Sequence, residues 1–194
     1  MYESTIKALI SDGVATKQAL LVDQHIISAT EQTVEVCVAT YRAGGKILFC
    51  GNGGSAADAQ HLAAELSGRF YYDRPPLYAE ALHVNTSFLT AVANDYNFEA
   101  VYARMVQAAG KPGDVLFALS TSGNSPNVVA AAQAALQAGM TVVSMTGASG
   151  GRLREYSSIL LNVPSADTPR IQECHMLLGH IICELVEKAL FPHQ

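Results

Sequence analysis

The stretch Lys46-Ile47-Leu48-Phe49-Cys50-Gly51-Asn52-Gly53-Gly54-Ser55 decides the fold. After Lys46 its first half is a short, continuously apolar run, which fits a strand buried on both faces. Its second half is a glycine-rich turn, and Ala56 to about Phe70 behind it reads as a helix. The same alternation runs outward from this unit. Leu77–Val84, Asp114–Ser120, Thr141–Thr146 and Ser158–Val163 read as strands. Ser87–Ala93, Phe98–Ala109, Ser125–Ala138, a short Gly151–Tyr156 and a long Thr168–Leu190 read as helices. Upstream, Ile6 to about Arg42 carries apolar residues at helical spacing, with a break near Asp23–His25 and an end at Gly44-Gly45. Apolar strands alternating with helices predict one α/β domain: a doubly wound parallel sheet with an N-terminal helical extension.

At 194 residues the chain has the length of one ordinary domain. Hydrophobic residues make up 49% and charged residues 15%, with a mean hydropathy of +0.19, enough for a sizeable core. Lys and Arg number 12 against 17 Asp and Glu, a net charge of −5 with no basic block, which argues against nucleic acid as a partner. Low charge with much alanine also predicts helix faces buried between subunits, hence an oligomer. Cys37, Cys50, Cys174 and Cys183 show no metal or redox spacing and read as small buried groups in a reduced compartment. No apolar run reaches the roughly 18 residues of a membrane span, and the N-terminus has no signal-peptide pattern. The expected location is cytoplasmic, with no membrane partner.

Two strand–loop–helix junctions share one design. Ligands of an open α/β sheet bind beyond the carboxyl ends of its strands. There, Gly51–Ser55 and Ser120-Thr121-Ser122-Gly123-Asn124-Ser125-Pro126 offer backbone N–H groups, hydroxyls and helix N-termini to an anion. Ser125-Pro126 also fits a plain helix start, with Ser as the cap and Pro at the first position. Hydroxyls crowded into one loop with a glycine favour phosphate. The first loop satisfies G-x-G-x-x-G/A, yet a dinucleotide site needs an acidic residue ending the second strand about 20 residues on. The chain reads Tyr71-Tyr72-Asp73-Arg74-Pro75-Pro76 there, a proline-broken loop.

His61 and Glu65, four apart, share a helix face and are either a solvated pair or ligands. Gln172, Glu173, His175 and His180 sit on a largely apolar helix, where a histidine is most often a core residue. Imidazoles with a carboxylate and an amide also suit a borderline metal such as zinc. Asn94-Asp95 at a helix end suits sugar hydroxyls or a simple turn.

Three blocks together, Gly51–His61, Ser120–Ser125 and Arg170-Ile171-Gln172-Glu173 with His180, resemble the sugar isomerase (SIS) domain family, and within it the bacterial phosphoheptose isomerases. The resemblance runs essentially end to end. It implies a flavodoxin-like sheet, with residues 1–45 as helices used in oligomerisation and 46–194 as the α/β core and closing helix. It implies a homotetramer with active sites at subunit interfaces. The implied reaction is interconversion of sedoheptulose 7-phosphate and D-glycero-D-manno-heptose 7-phosphate through an enediol, first step toward activated heptose for lipopolysaccharide or capsule. Carried over by position, one zinc per subunit falls to His61, Glu65, Gln172 and His180, with Glu65 and His180 as the proton-transfer pair. Asn52, Gly53, Gly54, Asn94 and Asp95 line the sugar. Ser120, Thr121, Ser122 and Ser125 hold the phosphate, with Ser55 nearby, and Glu65 and Gln172 also meet the substrate. Ser165-Ala166-Asp167-Thr168-Pro169 departs from some members, which removes support for an acidic role at Asp167.

A second reading is a non-catalytic protein of the same fold that binds the bacterial replication initiator. The terminal Leu190-Phe191-Pro192-His193-Gln194 and the surroundings of Asn94-Asp95 resemble it. Glu65 and Ser122 stand where that relative has a non-carboxylate residue and an arginine, which favours the enzyme. A sugar-phosphate-sensing regulator would need a DNA-binding domain, for which the chain has no segment. The implied ligand set also raises a geometric problem. Gln172 and His180 are eight apart, about 12 Å of rise and roughly 80° of rotation in one helix. Either Gln172 precedes the regular helix and folds back, or catalytic groups converge across a subunit interface.

Overall fold

The computed structural model describes residues 1–192. Five parallel strands, β1 (Ile47–Cys50), β2 (Ala79–Ala81), β3 (Val115–Leu119), β4 (Thr141–Thr146) and β5 (Ile159–Asn162), lie in the order β2-β1-β3-β4-β5. Ile47 stands opposite Ala79 on one side and Val115 on the other, Val115 opposite Thr141, and Val143 opposite Ile159. This is the flavodoxin-like order, in which the chain switches direction between β1 and β3 and opens a crevice beyond their carboxyl ends. Helices α1 (Glu3–Val22) and α2 (Gln24–Arg42) precede the sheet. The others are α3 (Gly54–Ser67), α4 (Thr86–Asp95), α5 (Ala100–Ala109), α6 (Pro126–Gln137) and α7 (Thr168–Leu190).

Successive strand residues face opposite sides of a sheet, and both sides here are apolar. Ile47, Phe49, Phe117, Leu119, Val143 and Met145 pack with α2, α3 and α7. Leu48, Cys50, Leu116, Ala118 and Val142 pack with α4, α5 and α6. Phe49 and Phe117 stack across β1 and β3 with ring centroids 4.8 Å apart. All four cysteines are free and buried, as the sequence suggests, and burial raises the pKa of each thiol.

The break between α1 and α2 falls at Asp23, whose carboxylate accepts from His25 N at 3.0 Å and Ile26 N at 3.2 Å. Two expected elements are corrected. The strand expected at Leu77–Val84 shrinks to three residues at the sheet edge. Leu77 N donates to Leu66 O and Val84 N to Ala81 O, so the chain leaves the ladder at both ends. The helix expected to run to about Phe70 stops at Ser67, because the Glu187 carboxylate takes the N–H groups of Phe70 and Tyr71, each at 2.8 Å. The short helix expected at Gly151–Tyr156 is present with those bounds, as a 3₁₀ helix.

On α1 only Gly13 and Leu20 are buried, while Ile6, Leu9, Ile10, Val14, Leu21 and Val22 are exposed. A largely apolar groove of about 710 Å³ lies between α1, α2 and α7, lined by Leu20, Leu21, Ile26, Ile27, Leu177 and Ile181 among others. Among the described residues, no helix is long and apolar enough to cross a membrane. At the carboxyl end, the Tyr72 hydroxyl donates to Phe191 O at 2.6 Å. His193 and Gln194, part of the tail that resembles the initiator-binding relative, lie outside the described residues.

The segment after α3 is held by a buried ion pair. Arg74 Nε donates to Glu187 Oε2 at 2.9 Å, with both side chains almost wholly inaccessible. Arg74 also donates to Leu66 O at 2.8 Å and Glu65 O at 3.0 Å, satisfying carbonyls at the end of α3. Burial alone raises the Glu187 pKa, but the Tyr71 and Phe70 N–H groups and Arg74 outweigh it and hold it below the ordinary 4.5. The stabilisation is therefore full above that ordinary value and is lost as pH falls through the lower folded-state pKa. Arg74→Met is expected to lower the unfolding free energy by about 3–5 kcal/mol, because it strands a buried carboxylate. Urea titration at pH 7 checks this, and the gap from wild type should narrow in acid.

Candidate active site

The loops leaving β1 and β3 stand side by side at the switch point. Gly51 O, at the start of the first, accepts from the buried Tyr102 hydroxyl at 2.5 Å. Ser55, in the first turn of α3, is buried. In the second loop Ser120 Oγ lies 2.9 Å from Ser125 Oγ and 3.5 Å from Ser122 Oγ. Ser125 is the cap residue of α6, yet its side chain makes no bond to the helix. The plain capping role weighed for Ser125 is therefore not the one it plays. Its hydroxyl faces the loop, and the helix end keeps its favourable dipole for an anion. A cavity of about 390 Å³ opens beside Thr121, Ser122, Asn124, Ser149, Ser165 and Thr168. Asp167 caps α7 without a side-chain bond to it.

Two turns along α3 is a second cluster. His61 Nε2 lies 3.0 Å from Glu65 Oε1 and 3.2 Å from His180 Nε2. One ligand atom from each of the three residues fits within 4.8 Å of the others, and among the described residues this is the one such group of His, Cys, Asp or Glu. Metal–ligand bonds of about 2.0–2.1 Å in a tetrahedron place neighbouring ligand atoms roughly 3.3 Å apart. The two short separations match that edge, so these residues fit a metal ion. The His61 and Glu65 side chains remain 51% and 26% exposed, open to a ligand. The Phe70 ring stands 5.8 Å from that of His180, and Arg74 holds the Glu65 carbonyl from behind.

Gln172 does not join them. It lies inside α7, which is regular from Thr168, so it does not precede the helix and fold back. A β-carbon on Gly54 would stand 2.5 Å from Gln172 Nε2, which places that amide over the start of α3. The seven residues from Gly54 to His61 span about 10 Å of helix. Glu65 and His180, by contrast, meet within one chain, so a convergence of these two across an interface is not what the structure shows. Glu173 pairs with Arg170 and Lys17. His175 is a core histidine: its Nε2 lies 3.1 Å from Thr146 O, and burial pushes its pKa down to about 4. Asn94 and Asp95 end α4, with Asn94 Nδ2 donating to Asp95 Oδ1 at 2.9 Å.

Residues 13–147 match the model of the SIS domain family. The chain is 53% identical to a phosphoheptose isomerase of Mycobacterium tuberculosis, over 98% of this chain and 97% of that one. It is 50% identical to one of Burkholderia pseudomallei, over 95% and 94%. The solved phosphoheptose isomerase of Neisseria gonorrhoeae superposes with a TM-score of 0.90 at 41% identity, covering 97% of this chain and 100% of that one. The chain belongs to the SIS domain family, among its phosphoheptose isomerases.

Within this isomerase fold, three features of the site escape a reading of the sequence. Asn127 bonds to Asn52 across the two loops. Its signal is slight: a lone amide opening the otherwise apolar Val128–Ala132 face of α6. Arg74 and Glu187, 113 apart, clamp the end of α3 and carry no local signal. Asp58 is the third, with one carboxylate oxygen buried and unpartnered; burial raises its pKa and His61 lowers it.

Gly54→Ala is expected to leave the thermal midpoint within a few degrees of wild type, because its new β-carbon meets only the flexible end of Gln172. A crystal structure of the variant should show the Gln172 amide displaced from α3.

Proposed function

We propose that this cleft interconverts sedoheptulose 7-phosphate and D-glycero-D-manno-heptose 7-phosphate, the first step toward activated heptose for lipopolysaccharide or capsule. Membership in the phosphoheptose isomerases supplies the reaction class, an aldose–ketose isomerisation. The observation that carries the reading is the meeting of the Glu65 carboxylate with the His61 and His180 imidazoles. The relatives reported above are isomerases and lend no support to the initiator-binding alternative.

Moving a carbonyl from C2 to C1 requires loss of a proton at C1 and its return at C2. Glu65 takes the C1 proton while His180 donates one to O2, giving the neutral enediol. His180 then recovers a proton from O1, and Glu65 delivers its own to C2. An imidazole suits transfer between oxygens near neutral pH. His61, Glu65, His180 and Gln172 would hold a zinc ion, which when bound polarises the carbonyl and stabilises developing oxyanion charge. Ser120, Thr121, Ser122 and Ser125, with Ser55 behind, hold the phosphate, and Asn52, Gly53, Gly54, Asn94 and Asp95 line the sugar. Binding energy at the phosphate then orients the far end.

Because the Gln172 amide lies over Gly54 in its own chain, the fourth ligand comes from a neighbouring subunit. The exposed apolar residues of α1 and the groove beside it support a homotetramer with sites between chains, residues 1–45 forming contacts and 46–194 the catalytic core. A cytoplasmic location suits the phosphorylated substrate.

Purified protein incubated with sedoheptulose 7-phosphate should yield the aldose by NMR, and chelation should stop it. Glu65→Gln should lower kcat by at least about 10²-fold with the fold retained. Activity within tenfold of wild type would remove Glu65 as the base. Ser120→Ala and Ser122→Ala should each weaken sugar-phosphate binding by about 1.5–3 kcal/mol, with a smaller effect on kcat. The comparison is KM against kcat, together with inhibition by inorganic phosphate. Mixing inactive Gln172→Ala and His180→Gln subunits should restore activity if the two groups come from different chains. No recovery after proven exchange would place both in one chain.

A further inference from the structure

Asn52 and Asn127 face each other as two closed amides. Asn52 Nδ2 donates to Asn127 Oδ1 at 2.8 Å, and Asn127 Nδ2 donates to Asn52 Oδ1 at 2.9 Å. The residues are 75 positions apart and belong to different loop–helix units. Asn52 sits in the turn after β1, and Asn127 is the second residue of α6, two after Ser125. Asn127 is only 2% exposed, so its amide must find partners inside the protein. An apolar residue of the same size would suit a position followed by the buried Val128 and Val129. A polar pair there is best explained by what it specifies.

We propose that Asn127 is a positioning residue of the isomerase, fixing the distance between the turn that lines the sugar and the hydroxyls that hold the phosphate. This rests on the reading of the site given above. A substrate anchored by its phosphate at Ser120–Ser125 reaches the reacting groups correctly only if the two loops keep one spacing. Misplacement by about 1 Å costs on the order of 10² in rate. The turn is tied at its base by Tyr102 to Gly51 O. The amide pair is the tie farther out, one residue before Gly53 and Gly54. Asn52 has its amide oxygen and one N–H committed to Asn127, so its contribution to the sugar site is to place the backbone that follows it.

The test compares Asn127→Leu, Asn52→Leu and the double variant with wild type, using sedoheptulose 7-phosphate turnover, inorganic phosphate affinity by calorimetry, and thermal midpoint. Wild-type inactivity on this sugar would sink the functional reading and is seen before any variant is made. With an active wild type, Asn127→Leu should lower kcat about 10–10²-fold, while phosphate affinity stays within threefold. The double variant should be no slower than the worse single one, because the pair acts as a unit. If Asn127→Leu fails to fold, Asn52→Leu breaks the same pair from its more exposed side and carries the same expectation. A kcat within threefold of wild type overturns the proposal. So does loss of phosphate affinity in step with kcat, which would make Asn127 a support of the phosphate loop alone. Additive losses in the double variant overturn it as well, since Asn52 would then act on the sugar independently.

Discussion

Leu62 occupies the space where a side chain on residue 179 would begin. A β-carbon built on Gly179 would stand 2.6 Å from both Leu62 methyl carbons, so the approach of α3 to α7 depends on glycine at that position. The residue before Leu62 is His61, and the residue after Gly179 is His180. Close packing of the helices therefore brings the two imidazoles to 3.2 Å. Glu65, one turn further along α3, arrives by helical geometry alone. The chemical cluster is a by-product of core packing: the same contact that buries Leu62 against α7 sets the spacing of the ligand atoms. A side chain at position 179 would have to displace the buried Leu62, and with it the contact that sets the spacing of the two imidazoles.

The fold then holds the ends of these helices. At the carboxyl end of α3, Arg74 occupies the Glu65 and Leu66 carbonyls while Glu187, on α7, fixes Arg74 and the N–H groups of Phe70 and Tyr71. One buried pair thus ties α3, α7 and the segment whose Phe70 ring stands near His180. At the amino end, the strand order puts the β1 and β3 loops side by side, and the Asn52–Asn127 pair joins them. The sheet supplies adjacency, and the polar pairs supply register.

How far this was legible in the sequence depends on the range of each interaction. Apolar runs such as Ile47–Cys50 and Val115–Leu119 announce buried parallel strands on their own residues, and Asp23 announces its helix start within three. The early end of α3 does not, because it is set by a carboxylate 116–117 residues away that takes two backbone N–H groups. The edge strand is misjudged for the same reason: Leu77 looks like a strand residue until its N–H is found on Leu66 O. In the site, the four-residue spacing of His61 and Glu65 puts them on one helix face but leaves a solvated pair and a ligand pair equally open. His180 is not separable from the core histidine His175 by pattern; the resemblance singles it out, and the structure separates them by burial and partner. Asn127 is illegible because its meaning lies in a second amide on another loop.

The exposure of the cluster bears on the assembly proposed for it. Charge developing on the substrate oxygens on the way to the enediol is stabilised best where preorganised donors act in a medium of low polarity, and bulk water weakens every such interaction. A His61 side chain half open to solvent does not meet that condition within one chain. The chain also carries six large apolar side chains uncovered on α1, beside an apolar groove, which is a cost in water unless another surface meets them. The neighbouring subunit proposed above would answer both: its helices would cover apolar surface, and the partner subunit's Gln172, brought near His61, Glu65 and His180, would complete the proposed ligand set while water is displaced. In that assembly the oligomer would be part of the active site rather than a consequence of sticky helices, because a single chain brings together Glu65 and both imidazoles but keeps the Gln172 amide over the start of α3.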